Sequence, residues 1–496
     1  MLKTSLQFSI IAFIAFLFAD IEVLTLDPWG ELARLGAGLV NPDLTVIWQY
    51  KASILNTISF AFCGITLAIF LAIPLAFNFN NKLVRLGCAF VRAIHEIFWA
   101  FIFLHIVGLN ALCGILAIAV PYAGIFAKVF AEIEQESDRK PQRAIPSSTD
   151  GFSSFIYGTL PIIFKDLTFY SRYRLECAIR SSAILGFIGL PTIGFYLETA
   201  FREGYYSEAA ALLYIFFISI ALLKYALRPA LIPVIILSSF IFISFDIHFS
   251  WSNLVRFFTY EILPWPMRSG GFYDQSYNIV FNFTDIVLWA RDIFLNEGFP
   301  GLWQTIILTQ MALVGTGIFS LLIFPFSSKL FVGPIQRKLS HFLLIIMRTT
   351  PEYILAYILL QIWGPSMLPA VMAILLHNGA ILAFLTAGNS DRIKLRFDNL
   401  SHKMSILFYE IIPRVFGQFM AFLFYRWEVM MRESAILGIL GITTLGFYID
   451  SAISDDQLDK AVLLILLTAI LNMVIDSISQ YIRQKQRISS KLYYTG

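Results

Sequence analysis

Apolar residues occur along this chain in runs of roughly 20, a length that crosses the hydrocarbon core of a bilayer as an α-helix. The runs predict an all-α polytopic membrane protein with about twelve transmembrane helices. The first run follows a single lysine and shows no small-residue cleavage site, so we interpret it as a retained helix rather than a cleaved leader. The predicted spans are residues 5–25, 52–77, 84–107, 110–132, 163–190, 207–224, 229–248, 302–326, 339–362, 367–388, 413–440 and 460–481.

The composition agrees with a membrane protein, because 58% of the residues are hydrophobic and only 14% are charged. The net charge of +3 and the absence of a basic run with interleaved aromatic residues argue against a nucleic-acid partner. The four cysteines lie in apolar stretches without metal-ligand spacing. His95, His105, His341 and His377 show no ligand spacing either, and we interpret them as packing or interface residues. The sequence therefore predicts no metal site and no cofactor bound by this chain.

Basic residues in the short loops predict the orientation. With a cytoplasmic N-terminus, the cytoplasmic loops and the C-terminal tail hold lysine and arginine clusters, whereas the opposite loops are short or mixed in charge. Both termini are therefore predicted to be cytoplasmic. The clusters are Lys82 and Arg85; Arg139, Lys140 and Arg143; Lys224 and Arg228; Lys329, Arg337 and Lys338; Arg392, Lys394, Arg396 and Lys403; and Arg483, Lys485, Arg487 and Lys491.

The two parts of the chain repeat each other. Residues 173–196 align without a gap with residues 425–448, and the aligned pairs include identical arginines, glutamates and glycines. Upstream, Arg92 and Glu96 correspond to Arg348 and Glu352. Both copies run from cytoplasm to cytoplasm, so they are predicted to be parallel-topology repeats related by an axis along the membrane normal. We assign the first half to residues 1–226 and the second half to residues 227–496, with a transmembrane core at 302–482.

Charged residues recur inside one predicted span of each half. Ionisable groups in such positions are costly and usually face protein or a water-filled cavity. Two hypotheses stay open, an electropositive translocation pathway for an anion and an ion-pair network that locks the halves together. The i, i+4 spacing allows pairing, and the basic excess slightly favours the anion pathway. The candidate pathway residues are Arg174, Glu176, Arg180, Arg426, Glu428 and Arg432.

Three glycines follow the charged residues in each half. Glycine permits either close helix packing or a helix break beside a cavity, and a break that occurs in both halves favours a gate or binding site. These glycines are Gly186, Gly189, Gly194, Gly438, Gly441 and Gly446. Near the predicted inner ends, Arg92 with Glu96 and Arg348 with Glu352 are expected to form i, i+4 ion pairs, with an inner-gate role as the weaker alternative.

The sizeable polar cytoplasmic segments within the halves, residues 134–157 and 390–408, each precede an apolar-proline step. A short helix at the membrane surface is predicted in each, available to a cytoplasmic partner. The candidate coupling residues are Arg143, Gly151, Pro161, Arg392, Lys394, Arg396 and Pro413. No Gly-Lys dipeptide occurs, so the chain has no phosphate-binding loop. Energy must therefore come from another chain or from an ion gradient.

Two segments resemble the permeases of phosphonate ABC importers, namely RAIHEIFWAFIFLHIVGLNALCGILAIAVPYAGIFAKVFAE and YRWEVMMRESAILGILGITTLGFYIDSAI, the latter repeated as YRLECAIRSSAILGFIGLPTIGFYLETAF. The resemblance implies a type I ABC importer-like fold in which two permease halves are fused. It also implies two ATPase subunits that use ATP and dock on the cytoplasmic loops, a periplasmic or extracellular binding protein, surrounding membrane lipid and a bacterial cytoplasmic (inner) membrane location. The implied substrates are phosphonates and phosphorus oxyanions such as phosphite.

The coupling loops depart from the family pattern. Gly151 is the loose counterpart of a glycine that the family has before Leu-Pro, and the second half has no counterpart. The alternatives are an ABC importer for another small anion or an amino acid, and an ion-coupled secondary transporter with parallel repeats. A lipid-modifying enzyme would need a cluster of histidine, aspartate or cysteine at the membrane face, and the sequence indicates none.

Overall fold

A computed structural model describes residues 2–137, 146, 149–228, 231–243, 250–269, 278–393, 395 and 402–485. These residues are overwhelmingly helical, so the predicted all-α class is confirmed. Two short strands, β1 (Arg268–Ser269) and β2 (Asn278–Ile279), pair antiparallel with Arg268 opposite Ile279.

Contacts divide the chain into two compact units, which we call the first unit (residues 34–261) and the second unit (residues 1–33 and 262–496). The helices that lie in the first unit or begin at its edge are α2 (Pro28–Val40), α3 (Thr45–Gln49), α4 (Lys51–Phe77), α5 (Lys82–Ala93), α6 (Glu96–Val107), α7 (Ala111–Glu136), α8 (Gly151–Ser154), α9 (Leu160–Ile184), α10 (Ile193–Arg202), α11 (Tyr206–Ala226), α12 (Ile232–Phe242) and α13 (Trp251–Arg256). Those of the second unit are α1 (Leu2–Leu17), α14 (Phe283–Ile293), α15 (Phe299–Ser327), α16 (Pro334–Thr349), α17 (Glu352–Trp363), α18 (Met367–Ser390), α19 (Lys403–Ser405), α20 (Ile412–Ile439), α21 (Leu445–Ser454) and α22 (Leu458–Lys485).

Most of the predicted spans are found as long apolar helices. Among the described residues, seven helical segments are long and apolar enough to cross a membrane, and three bent helix pairs raise the number to ten. The two other predicted spans correspond to the shorter apolar helices α1 and α12. The count of twelve therefore depends on taking each bent pair as one span and on including both short helices.

The helices repeat in the order that the internal sequence match predicts. The series α4, α5, α6, α7, α9, α10 and α11 of the first unit has its counterpart in α15, α16, α17, α18, α20, α21 and α22 of the second. The bend between α5 and α6 is 95°, and the bend between α16 and α17 is also 95°. The two units therefore repeat not only helix lengths but also the position and size of a break inside one predicted span.

Each repeat also has an additional helix packed on its first long helix. In the second unit, α1 packs on α15, and the Phe8 ring lies 5.2 Å from the Phe424 ring and 5.3 Å from the Trp427 ring. In the first unit, α12 packs on α4. Contacts therefore separate the chain after residues 33 and 261. The assignment of the permease halves to residues 1–226 and 227–496 stays a prediction.

Candidate functional site

The predicted glycines break the arginine-bearing helix of the first unit. Helix α9 ends at Ile184, and α10 begins at Ile193 after a short 3-10 turn. A Cβ atom on Gly186 would lie 2.1 Å from the backbone nitrogen of Phe195, and one on Gly194 would lie 1.8 Å from the carbonyl oxygen of Ala183. The two backbone segments thus touch, and only glycine leaves room for this approach.

The second unit repeats this crossing between α20 and α21. A Cβ atom on Gly438 would lie 2.1 Å from the backbone nitrogen of Phe447, and one on Gly446 would lie 1.9 Å from the carbonyl oxygen of Ala435. Gly189 and Gly441 follow at the turn with φ angles of 91° and 89°, in the left-handed region. A helix break therefore lies at the turns with Gly189 and Gly441, and the other four glycines permit the close crossing of the helices beside it. The role of these glycines in a gate stays a prediction.

A buried threonine holds the helix that follows each break. The Thr57 hydroxyl oxygen on α4 accepts a hydrogen bond from the Ile193 backbone N–H at 2.8 Å. The Thr305 hydroxyl oxygen on α15 accepts the equivalent bond from Leu445 at 3.1 Å. Each hydroxyl also donates its own proton to a carbonyl of the helix that carries it. Both hydrogen-bonding functions of the hydroxyl are therefore used, and one of the backbone N–H groups that a helix start leaves unpaired is satisfied.

The equivalent arginines Arg174 and Arg426 have different neighbours. Arg174 on α9 donates from Nε to the Tyr170 hydroxyl at 2.7 Å, and its guanidinium lies 5.1 Å from the Tyr170 ring centroid and 5.6 Å from that of Tyr173. Arg426 on α20 donates from Nε to Asn378 Oδ1 at 2.6 Å. Its Nη2 lies 3.7 Å from Glu433 Oε1. The cation is therefore stacked on aromatic rings in the first unit and paired with a carboxylate in the second.

The other candidate pathway residues are half-buried on the same two helices. Arg180 donates from Nη2 to Cys177 Sγ at 3.4 Å. Glu176, Glu428 and Arg432 also have intermediate burial. The pathway role of these residues, and the pairs Glu176–Arg180 and Glu428–Arg432, stay predictions.

Glu96 and Glu352 occupy the sharp bends of the two units. Helix α5 ends before Glu96 and α16 ends before Glu352, and each glutamate is the first residue of the next helix. Arg92 and Glu96 therefore lie on two helices at 95° to each other, as do Arg348 and Glu352. The spacing of a continuous helix, on which we based the predicted pairs, does not apply across this bend, and the pairs themselves stay a prediction. Arg348 contacts the Phe384 ring at 4.6 Å from its centroid.

Both glutamates are buried, and each has a histidine beside it. Glu96 is 8% exposed; His95 Nε2 lies 3.5 Å from its Oε2, and the Ser181 hydroxyl lies 3.5 Å from its Oε1. Tyr122 extends this group with a 3.1 Å hydrogen bond between its hydroxyl and that of Ser181.

The counterpart in the second unit contains more charge. Glu352 is 7% exposed, and its Oε2 lies 3.8 Å from Nε2 of His377, which is 1% exposed. Asn378 and Glu433 stand at the positions of Tyr122 and Ser181 in the aligned repeats, and Asn378 Nδ2 donates to Glu433 Oε2 at 3.0 Å. A neutral hydroxyl pair in one unit is thus replaced by an amide and a carboxylate in the other.

The predicted coupling segments contain short helices at equivalent positions. Helix α8 includes Gly151 and continues through a π-helical turn to the exposed Pro161 of α9. Helix α19 continues in the same way to the exposed Pro413 of α20. Arg392 is exposed at the end of α18. Arg143, Lys394 and Arg396 lie outside the described residues.

The second of these segments has an apolar anchor and an exposed aromatic face. Leu407 and Ile411 are buried in a cluster with residues of α15, α16, α18 and α20. Tyr409, between them in sequence, is 82% exposed, and Phe408 and Met404 are also exposed. In the first unit Tyr157 is similarly exposed. Both segments can therefore present aromatic side chains to a partner while remaining fixed to the helix bundle.

Asp391 fixes the start of the second coupling segment, a role that the sequence analysis missed. Its Oδ1 accepts hydrogen bonds from the Ser328 hydroxyl at 2.7 Å and from the Lys329 backbone N–H at 2.9 Å. Its Oδ2 accepts from Arg337 Nη2 at 3.1 Å. Asp391 thereby ties the end of α18 to the loop between α15 and α16. The partners are more than 50 residues away in sequence, so no local pattern predicts the contact.

Comparisons with known proteins agree with the repeated helical architecture. Residues 322–488 match the family described as binding-protein-dependent transport system inner membrane component. Phosphate-import permease protein PhnE of Mycolicibacterium smegmatis is 24% identical over 87% of this chain and 84% of its own length. Phosphite transport system permease protein PtxC of Stutzerimonas stutzeri is 26% identical over 37% of this chain and 70% of its own length. No solved structure matches the chain.

The match to PhnE extends over most of both halves, whereas PtxC covers about the length of one half. The family match lies in the second half, and the internal repeat carries the same residues and helix breaks into the first. Apolar helices, an inner-membrane family and binding-protein-dependent transport together imply a multi-pass membrane protein that works with ATPase and substrate-binding partners. The chain is a membrane permease of the ABC importer class, with two permease halves in one polypeptide.

Proposed function

We propose that this permease moves phosphonate or a related phosphorus oxyanion into the cytoplasm. The observation that carries the proposal is the similarity to a phosphate-import permease over 87% of the chain, together with the match to a phosphite transport permease. A further relative, PhnE2 of Escherichia coli K12, is provisionally named a cryptic phosphonate transport permease and is 27% identical over 22% of the chain. The shared chemistry of these three solutes is a tetrahedral phosphorus centre with anionic oxygens.

The arginines of α9 and α20 support an anionic substrate. Arg174, Arg180, Arg426 and Arg432 lie on the helices that end at the glycine breaks. Guanidinium groups offer several N–H donors in a planar fork that matches phosphorus oxyanions. We assign Arg180 and Arg432 to the pathway because they lie within two helical turns of the breaks. A helix break that lines a cavity exposes backbone groups to a substrate, so side chains close to it can contact the same substrate.

Coupling to ATP hydrolysis is assigned to the short helices α8 and α19. We propose that each binds one of two ATPase subunits, because both segments occur at the same place in the repeat and both present exposed aromatic residues. This assignment places both termini in the cytoplasm, in agreement with the distribution of lysine and arginine. A binding protein would deliver the substrate on the opposite side.

The test is ATP-dependent uptake of a labelled phosphonate into vesicles that contain this chain, its ATPase and its binding protein. We expect uptake that requires ATP and is reduced by excess phosphite or phosphate. Arg180→Gln and Arg432→Gln should each lower the uptake rate about tenfold if the guanidinium contacts the substrate oxyanion. Normal rates in both variants would remove these arginines from the pathway.

Two alternatives are separated by the same vesicles. An importer for another small anion or an amino acid would hydrolyse ATP in response to a different loaded binding protein and would not transport phosphonate. A secondary transporter would accumulate solute without ATP when an ion gradient is applied. The first result would contradict the proposed substrate, and the second would contradict the ATP-driven mechanism.

A further inference from the structure

Three potential metal ligands from different helices meet inside the second unit. They are Glu352 at the start of α17, His377 in the middle of α18 and Glu433 on α20. One ligand atom of each lies within 4.8 Å of the others. Glu352 and His377 are buried, and Glu433 is half-buried. The residues are far apart in sequence and have no ligand spacing, so the sequence analysis interpreted His377 as a packing residue.

Hydrogen bonding orients the His377 ring for a cation. Its Nδ1 lies 2.8 Å from the Thr350 carbonyl oxygen, and a carbonyl only accepts, so Nδ1 carries the proton. In the neutral ring, the lone pair is therefore on Nε2, which faces the Glu352 carboxylate at 3.8 Å. A backbone carbonyl that fixes the tautomer in this way is a common feature of metal-binding histidines.

The first unit shows the opposite arrangement. His95 Nδ1 accepts a hydrogen bond from the Ile97 backbone N–H at 3.2 Å, so in the neutral ring the proton is on Nε2. This Nε2–H faces Glu96 at 3.5 Å, and the pair is attractive without any added ion. The two histidines thus present opposite groups to equivalent glutamates, and only the pair in the second unit places a lone pair against a carboxylate.

One separation in the second unit is close to that of two ligands on one ion, and all three ligand atoms lie within 4.8 Å of one another. The 3.8 Å between His377 Nε2 and Glu352 Oε2 is too long for a hydrogen bond. It is close to the roughly 3.0–3.5 Å expected between two nitrogen or oxygen ligands at about 2.0–2.1 Å from one metal ion. A small adjustment of the side chains would therefore bring both atoms into coordination.

Charge and outer contacts also favour a cation. Glu433 is oriented by the Asn378 amide at 3.0 Å from Oε2 and by Arg426 Nη2 at 3.7 Å from Oε1. Glu352 and Glu433 thus contribute two carboxylates to this group, and Arg426 contributes one guanidinium. Hydrogen-bonded groups that hold a ligating carboxylate are typical of outer-shell support in metal sites.

We propose that Glu352, His377 and Glu433 bind one divalent transition-metal ion, which cross-links α17, α18 and α20. One imidazole and two carboxylates suit ions such as Zn²⁺ or Mn²⁺. The first unit cannot build the same site, because Pro121 and Ser181 stand at the positions of His377 and Glu433. Each chain therefore holds one ion, in its second half.

The experiment uses the whole chain, purified in detergent with a tag that lacks histidine and stripped with a chelator. Zn²⁺ and Mn²⁺ are added separately, the protein is passed through a gel-filtration column, and the retained metal is measured by mass spectrometry. We expect about one ion per chain for at least one of the two metals, and a higher unfolding temperature when the ion is present.

Two variants and a matched control locate the ion. His377→Gln and Glu433→Ser should lose the retained metal and the temperature shift, and Glu433→Ser introduces the residue that the first half has at this position. The control is His95→Gln, which changes the buried histidine of the first unit and should keep both effects. If His377→Gln aggregates, Glu433→Ser decides alone.

The proposal is overturned by either of two results. Retention of neither metal by the unaltered chain would indicate that a proton on His377 supplies the positive charge. Equal retention by the unaltered chain and Glu433→Ser would indicate adventitious binding elsewhere. Both readouts are independent of transport, so they are not affected if the proposed substrate is wrong.

Discussion

The polar groups around Glu96 and around Glu352 occupy equivalent places in the two units but differ in chemistry. The first unit joins Glu96 to Ser181 and Tyr122, whereas the second joins Glu352 to His377 and surrounds Glu433 with Asn378 and Arg426. The backbone around them repeats closely, including both 95° bends. The two units therefore keep the same backbone crossings but differ in their buried polar side chains. Such side chains can differ as long as each buried polar or charged group has a hydrogen-bond or charge partner.

The strongest test of the shared scaffold is alanine at the glycine crossings. Gly194→Ala and Gly446→Ala each push a Cβ atom against a carbonyl oxygen within 2 Å, so we expect each to destabilise the chain by about 3 kcal/mol or more, or to prevent folding. Recovery of monodisperse protein and the unfolding temperature measure the effect. Gly388→Ala in α18 is the control, because nothing lies within 4 Å of its Cβ position, and it should be neutral or slightly stabilising.

The next test separates the two arginine environments. Arg426→Leu leaves the largely buried Glu433 carboxylate without its cation, so it should destabilise the chain by about 3 kcal/mol. Arg174→Leu removes a hydrogen bond and aromatic stacking, and we expect a loss of about 1–2 kcal/mol. Denaturant unfolding in detergent compares the two. Equal losses would contradict the assigned difference, and adding Glu433→Leu to Arg426→Leu should restore part of the stability.

A smaller effect on stability, with a larger effect on coupling, is expected at Asp391. Asp391→Asn removes the charge that Arg337 contacts, so the folded state should lose about 1 kcal/mol. Because Asp391 holds the start of the second coupling segment, uptake per ATP hydrolysed should fall several-fold in the reconstituted complex. The matched control is Ser477→Ala on α22, an exposed residue outside both coupling segments whose hydroxyl bonds within its own helix, and it should leave both quantities unchanged. Unaltered coupling in Asp391→Asn would show that the contact serves stability alone.

The effect predicted for the two threonines concerns stability alone and should be equal in the two units. Thr57→Val and Thr305→Val each remove the acceptor for a backbone N–H at the start of the helix after the break, so each should cost about 1–2 kcal/mol. Thermal unfolding of both variants measures the loss. A clearly unequal pair of values would indicate that the breaks differ in strength, and Thr66→Val, whose hydroxyl donates only within α4, provides the reference.

Patterns within one segment were predictable. Runs of apolar residues located the long helices, because the bilayer thickness sets their length. The aligned arginines, glutamates and glycines located the repeat and the helix breaks, since glycine alone tolerates the backbone approach at Gly186 and Gly438. The family resemblance also agreed with the later comparisons.

Contacts between distant segments were not predictable. His377 lies 25 residues after Glu352 and 56 residues before Glu433. These distances in sequence do not distinguish a metal ligand from a histidine that only packs. The expected helical pairing of Arg92 with Glu96 rested on a continuous helix, but a 95° bend lies between them. The packing of α1 on α15, which is far away in sequence, also has no local signal.

Local physical chemistry thus determines the class, the approximate spans and the duplicated helix breaks of this permease, because hydropathy and glycine act over one or two helical turns. The tertiary structure decides which histidine tautomer faces which carboxylate, which cation Glu433 neutralises and which loop Asp391 fixes. Those choices depend on atoms brought within about 4 Å of each other by helix packing, and the energy of a buried charge or hydrogen bond is set at that range.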